Sequence, residues 1–419
     1  MSEHPRMQRR LGRNDAVVIG LGSMIGAGVF AAFGPAAAAA GSGAGLLVAL
    51  ALAVGVAWCN ATSSAQLAAQ YPDSGGTYVY GRERLGASWG FAAGWCFVVG
   101  KTASCAAMAT TAAVYAVGQP GPFARLAAIG ALAALTGVLL RGITKTARTA
   151  RVLLAVTLGI LAVTLLGLLI AHSGRPDPPP GPPAGAYGVL QAAGLLFFAF
   201  AGYARIATLG EEVRDPQETI PAAITRALAL VVVVYTAVAA VLLVVLGPVD
   251  LAASALPLAD AARGLGLEPV AVLVRVGAVV ACLGALLGLL AGVSRTMLAM
   301  ARRRDLPPAL SRLDARHDVP ALAQVCVAVA AAALVLVADL RHAIGFSSTG
   351  VLLYYAIANA SAWTQSAEHR RWSRAVQGAG LVGCLALVAT LPWESVLLGL
   401  LVVALGVGGR AWLRRGASA

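Results

Sequence analysis

Apolar runs of about 20 residues or more, nearly free of charge, recur from one end of this chain to the other. That pattern leaves few folds open. In hydrocarbon, each unpaired backbone N–H or C=O costs several kcal/mol, so only helices and closed barrels cross a bilayer. A barrel alternates apolar and polar residues over short segments, and these runs do not alternate. The chain therefore reads as an all-α integral membrane protein of about 12 transmembrane helices. Its composition fits no soluble domain of 419 residues: 59% hydrophobic, 12% charged, mean hydropathy +0.80.

The formal charge of +13 would suggest a nucleic-acid binder in a soluble protein. Here the basic residues sit in short segments between apolar runs, where they set membrane orientation. Arg6, Arg9, Arg10 and Arg13, the cluster Arg141, Lys145, Arg148 and Arg151, and Arg302 to Arg304 all fall on one side if the N-terminus is inside. Arg370, Arg371, Arg374, Arg414 and Arg415 fall there too, whereas the opposite side holds little beyond Arg175, Arg263 and Arg341. Both termini are expected in the cytoplasm, and the protein in the plasma or inner cell membrane. The basic N-terminus resembles a signal peptide, but the apolar run after it exceeds a typical h-region and reads as a retained first span.

The expected spans are residues 15–40, 44–70, 87–117, 123–140, 152–171, 188–210, 223–247, 270–300, 321–338, 343–364, 376–392 and 394–412. A long loop carrying Pro257 and Asp260 precedes the eighth, and the proline-rich stretch 173–186 reads as a solvated connector. The six cysteines lie inside apolar runs without a C-x-x-C pair and read as small buried hydrophobes. The histidines show no ligand spacing, so no metal or cofactor is expected. No nucleophile–base pair, P-loop or dinucleotide motif is present, which argues against an enzyme.

Two runs are interrupted at their centres. The first reads Gly20-Leu-Gly22-Ser-Met24-Ile-Gly26-Ala-Gly28. An unwound stretch over residues 22–28 would leave carbonyls facing one way, and a helix restarting near Gly28 would present free amides and a positive dipole end. Such a pair of surfaces suits an ammonium beside a carboxylate. The other reading of these glycines is close helix packing. The sixth run carries Phe197-Phe-Ala-Phe-Ala-Gly202-Tyr203, small residues flanked by aromatics. At least one of Phe197, Phe198 and Phe200 is expected to face lipid. Five spans separate the two interruptions, so they run in opposite directions, which points to a transporter site near mid-membrane.

These residues resemble the amino acid–polyamine–organocation (APC) superfamily of permeases. Ile25-Gly-Ala-Gly-Val-Phe30 is similar to its first-helix motif, and Pro72-Asp-Ser-Gly-Gly-Thr-Tyr78 to the turn after its second span. Phe200-Ala-Gly-Tyr, Glu211-Glu-Val-Arg-Asp-Pro216, Ile220-Pro221, Ser294-Arg295, Ala301 and Leu306-Pro307 follow in family order. The resemblance covers about residues 15–365. It implies a cytoplasmic tail (1–14), a first five-helix repeat (15–171), an inverted second repeat (188–365) and two accessory helices (375–412), working by alternating access on amino acids. It further implies that the substrate carboxylate meets the amides of Gly26, Ala27 and Gly28. The ammonium would meet carbonyls of Met24, Phe198 and Ala201. Phe198 or Tyr203 would be the aromatic lid beside Gly202.

Lys101 lies about 14 residues into the third span, roughly 20 Å along a helix and near the bilayer centre. An ionisable group at that depth costs about 3 kcal/mol or more on insertion scales and is a functional candidate by default. Relatives often carry a lysine in the fifth span, where this chain has Thr157. Lys101 is therefore the candidate for proton coupling, with a structural lysine as the other reading. The run Leu283-Gly-Ala-Leu-Leu-Gly-Leu-Leu-Ala-Gly292 offers no hydroxyl for a sodium ion, which needs oxygen ligands. Arg205 is an inner-gate candidate with Glu211 or Glu212, or part of a structural ion pair. Arg125 and Arg275 are expected to reach toward headgroups. No acid accompanies Lys101, so a neutral amino acid is favoured over a cationic one. Proton-coupled uptake is the leading expectation. Exchange and cationic transport are alternatives, and a non-transporting amino acid sensor ranks below them. Lipid surrounds the chain, nucleic acid is not expected as a partner, and the sequence does not set the oligomeric state.

Overall fold

A computed structural model describes residues 11–72, 75–142, 147–176, 178–183, 185–210 and 212–416. The first apolar run forms three segments: α1 (Arg13–Met24), α2 (Ala27–Ala31) and α3 (Phe33–Ala40). There follow α4 (Gly43–Gln70), a short α5 (Thr77–Leu85), α6 (Ala87–Val117), α7 (Pro122–Leu140) and α8 (Ala147–His172). The sixth run is α9 (Ala186–Phe200), a 3-10 turn over Ala201–Tyr203 and α10 (Ala204–Ala207). Then come α11 (Pro216–Val245), α12 (Gly247–Ala253), α13 (Pro257–Gly264), α14 (Glu268–Arg302), α15 (Ala321–Val337), α16 (Leu340–Trp363), α17 (Arg374–Thr390) and α18 (Trp393–Gly416). Among the described residues, ten segments are long and apolar enough to cross a bilayer, and α15 and α17 are shorter apolar helices. The chain is a multi-pass helical membrane protein.

The two innermost helices are α6 and α16, each with 89% of its apolar window buried, against 28% for α7 and 17% for α18. Glycine allows α6 and α16 to meet backbone to backbone. A Cβ on Gly350 would stand 2.8 Å from the Gly100 Cα, and one on Gly100 would stand 3.0 Å from the Ser347 carbonyl. In lipid, such close approach substitutes for the hydrophobic drive that water supplies to soluble cores. Ser104 and Ser347 share a hydrogen bond of 2.7 Å at the same crossing. Outward positions keep bare apolar side chains, such as Val233 at 68% and Leu405 at 66% exposed, as a lipid-facing belt requires.

The expected long loop around Pro257 is instead α12 and α13. Each starts on a proline in its first turn, where a missing N–H does no harm. Asp260 accepts from the Ser254 hydroxyl and pairs with Arg263, which steadies the turn between them. Gly34 lets α3 lie against this cap, since a Cβ there would meet the Ser254 carbonyl at 2.8 Å. Arg275 does not reach for headgroups. It donates to the carbonyls of Tyr115 and Ala116, both at 2.8 Å, and so closes the C-terminal end of α6. The cysteine expectation also needs amendment: Cys326 is exposed and Cys59 only partly covered, while the other four are buried.

At the opposite end, backbone meets backbone between the family-like motifs. A Cβ on Gly210 would stand 2.4 Å from the Pro72 carbonyl. Leu11 pairs with the strand-like segment after α10, donating to Glu212 O at 3.0 Å and accepting from Arg214 N at 2.9 Å. Gly76, at φ +54°, provides the turn that brings the Thr77 amide to the Tyr354 hydroxyl at 3.2 Å. Beside it lies a buried charge cluster. The Asp305 carboxylate, its side chain fully enclosed, takes the Tyr78 hydroxyl at 2.7 Å, Arg410 at 2.8 Å and Arg82 at 3.3 Å. Arg410 also stacks over Phe91, so α18 is tied to α5, α6 and the end of α14.

Removing one member of a buried pair strands the other charge, typically at about 3–5 kcal/mol, whereas replacing both is much milder. Asp305→Ala is therefore expected to lower the melting temperature of the detergent-solubilised protein sharply. The double variant Asp305→Ala with Arg410→Met should recover part of that loss; a double variant no more stable than the single one would show that the pair does not hold α18.

Candidate functional site

The first interruption is narrower than expected. α1 stays helical through Met24 and α2 restarts at Ala27, so only Ile25 and Gly26 leave the helix, rather than residues 22–28. The other glycines do different work. A Cβ on Gly20 would stand 2.2 Å from the Ile206 side chain, so Gly20 serves close packing on α10. Gly22 has open space where a side chain would be. The second interruption falls where expected, with the α-helix ending at Phe200 and a 3-10 turn over Ala201–Tyr203.

The two interruptions lie against each other. A Cβ on Gly28 would stand 2.6 Å from the Ala199 Cα, and one on Gly202 would stand 2.4 Å from the Ser23 carbonyl. Ala27, Gly28, Met24 and Ala201 are buried. Breaking the helices frees carbonyls in the apolar interior, and side chains from three other helices answer them. The Tyr235 hydroxyl of α11 stands 2.7 Å from Met24 O and 3.0 Å from Ala199 O, so its single proton serves one carbonyl of each broken run. The Lys101 Nζ of α6 donates to Ala201 O at 2.9 Å, and the Tyr355 hydroxyl of α16 reaches the same oxygen at 3.4 Å. Lys101 is only 6% exposed.

None of the three phenylalanines of α9 faces lipid, contrary to expectation; they are 0%, 7% and 0% exposed at positions 197, 198 and 200. Phe197 sets its edge to Tyr355 and Phe200 its edge to Tyr235, while Tyr203 packs on Tyr355. Phe198 belongs to none of these ring pairs.

A cavity of about 190 Å³ runs from the Leu11 end of the molecule up to the first interruption. Ser23 and Ala285 form its inner end, and Ala285 is also the nearest neighbour a Cβ on Gly26 would meet, at 3.0 Å. Missing side chains at Gly22 and Gly288, with nothing opposite them, leave it open. Arg205, Glu212 and Arg295 line its outer part. Among the described residues Arg205 makes no ion pair; its guanidinium bonds Thr208 at 3.2 Å. Glu211 lies outside the described residues. Thr157 is buried on α8 and spends its hydroxyl on Leu153 O. Farther along the first run, Phe30 packs edge-to-face with Tyr115, whose hydroxyl bonds Phe30 O at 2.9 Å.

The sequence profile of the amino acid permease family matches residues 15–408. The chain belongs to the amino acid permease family. An uncharacterized transporter of Mycobacterium tuberculosis is 55% identical over 96% of this permease and 90% of that protein. A branched-chain amino acid permease of Bacillus subtilis is 26% identical, covering 93% of this permease and 90% of its own length. A vacuolar cationic amino acid transporter of Arabidopsis thaliana is 29% identical over 81% of this permease and 57% of its own length. Family and relatives are transporters, so the permease is a member of the APC superfamily rather than of an enzyme family.

Tyr235 and Tyr355 were not read from sequence as partners of the broken helices. A signal was present for Tyr235: a single hydroxyl in Val231-Val-Val-Val-Tyr235 must find an acceptor when buried.

Glycine is expected to act differently at the two kinds of position. Gly202→Ala drives a methyl into backbone and should destabilise the permease by about 1–3 kcal/mol. Gly22→Ala meets open space and should leave the melting temperature within error. Equal losses in both, measured by thermal unfolding in detergent, would contradict the packing described.

Proposed function

We propose that this permease is a secondary active transporter of amino acids working by alternating access, and that it takes up neutral amino acids with protons. The observation that carries the reading is the pair of interrupted helices packed back to back, with a cavity leading to one of them. Their freed ends complement a zwitterion: Ala27 and Gly28 offer amides to its carboxylate, joined by the Gly26 amide once it leaves Met24 O, on which it now rests at 3.0 Å, and Met24, Phe198 and Ala201 offer carbonyls to its ammonium. Phe198, beside Gly202 and Tyr203, would cover the bound molecule.

In this reading residues 15–171 and 188–365 are two inverted five-helix repeats, residues 375–412 are accessory, and α15 and α17 complete twelve crossings. The basic segments support an orientation with both termini, including the tail 1–14, in the cytoplasm. The cavity at Leu11 then opens inward, and the Phe30–Tyr115 contact closes the outer side. Arg205 and Glu212, facing one cavity, form the inner gate, with Glu211 as a further candidate.

Lys101 is the coupling group. It is an amine in the apolar interior, bonded to a carbonyl of the second interruption, and the α14 run over residues 283–292 carries no hydroxyl for a sodium ion. A cationic substrate would bring a second unpaired positive charge beside it, which disfavours cationic amino acids although some relatives carry that name.

Purified protein in liposomes, given labelled amino acids and one imposed gradient at a time, tests the reading. Uptake of a neutral amino acid is expected to rise with an inward proton gradient and to ignore sodium. Lys101→Ala should abolish that stimulation. Uptake driven by sodium alone and unaffected by Lys101→Ala would refute the coupling scheme, and flux only against internal amino acid would favour exchange.

A further inference from the structure

We infer that Lys101 is a built-in competitor for the substrate's ammonium, docked on the carbonyl that the ammonium needs. This rests on the permease reading above and assigns Lys101 a specific act within it. A primary ammonium on a substrate and the ammonium of Lys101 are the same chemical group. Both seek carbonyl oxygens freed by a broken helix. In this structure the Ala201 carbonyl already receives Lys101 Nζ at 2.9 Å and, more distantly, the Tyr355 hydroxyl at 3.4 Å.

The rest of the amine subsite is filled in the same manner. Met24 O, the other carbonyl given to the ammonium, accepts from the Tyr235 hydroxyl at 2.7 Å. The side chains therefore satisfy the broken backbone without substrate, as the membrane interior demands. The difference between the two donors is charge. Tyr235 can swing its proton to Ala199 O, 3.0 Å away, and leave Met24 O with the Gly26 amide as its donor, at 3.0 Å, and one lone pair open. Among the described residues, Ala201 O is the one acceptor that Lys101 Nζ bonds. No carboxylate pairs with it in any of the ion pairs among the described residues. Its neighbours across α16 are neutral: Tyr355 on the shared oxygen, and Ser347 bound to Ser104.

Two like charges cannot share one buried oxygen, so a substrate amine reaches Ala201 only when Lys101 leaves it or is uncharged. The lysine thus holds the second interruption in a substrate-like state while the site is empty. A molecule without an ammonium gains nothing by displacing it. Apparent affinity is the intrinsic affinity multiplied by the fraction of time the lysine is off that carbonyl.

Binding to purified protein in detergent tests this, using a panel of zwitterionic amino acids. The one bound best is then compared with its amine-free carboxylate analogue. Lys101→Met keeps the length of the side chain and removes the charge. It should tighten amino acid binding by about tenfold or more and leave the analogue's affinity unchanged. Lys101→Arg, which keeps the charge, should not tighten binding. Size-exclusion profiles and melting temperatures confirm folding, and Lys101→Gln replaces Lys101→Met if the latter aggregates. Equal or weaker amino acid binding in the folded uncharged variants would overturn the inference, because Lys101 would then support the substrate rather than compete with it. Equal tightening for the amine-free analogue would also overturn it, as a general loosening of the site. Absence of binding by the wild type across the panel would instead count against the amino acid reading itself.

Discussion

A peptide group inside a bilayer has no water to turn to, and a helix that breaks there must find other partners for the groups it releases. That requirement organises this permease. Its first and sixth apolar runs both break in the apolar interior, and Tyr235, Lys101 and Tyr355 converge from α11, α6 and α16 on carbonyls of the breaks. Two of the helices that supply those donors, α6 and α16, are the most enclosed of the ten long apolar segments. Interior polarity is thus concentrated where the backbone is irregular, and the lipid-facing surface stays apolar.

Close packing and open space are both made with small residues, and the distinction lies in what stands opposite. Gly28 and Gly202 press the two broken runs together, and Gly100 and Gly350 do the same for α6 and α16. Gly22 and Gly288 have nothing opposite, and there the cavity opens. One end of the molecule carries the Phe30–Tyr115 contact, Arg275 and the α12–α13 cap, whereas the other is held by backbone contacts and the buried Asp305 cluster. The two ends therefore differ in kind: an aromatic contact at one, backbone contacts and buried charge at the other.

Much of this was legible in the sequence because lipid imposes strong rules. Uninterrupted apolar runs gave span positions within a few residues, and Phe200-Ala-Gly202 marked the second break correctly. The first break was drawn too wide because glycine spacing alone cannot separate unwinding from close approach. Gly20 is a packing residue and Gly22 a cavity residue, and only Ile25 and Gly26 leave the helix. The α12–α13 cap was hidden because helices that begin on proline and carry few apolar residues read as loop. The Asp305–Arg410 pair was hidden for another reason: its partners are 105 residues apart, and no local pattern announces a contact of that span. Tyr235 carried a hint, a lone hydroxyl in a valine run, but its acceptors depend on where two other segments break.

The central claim is that the two interruptions together form the seat of a zwitterionic substrate. A structure of the permease with a bound neutral amino acid tests it most directly. The carboxylate is expected at the amides of Gly26 to Gly28, the ammonium at Ala201 O and Met24 O, and Lys101 moved off its carbonyl. A substrate seated away from both interruptions, with Lys101 still bonded to Ala201, would contradict it.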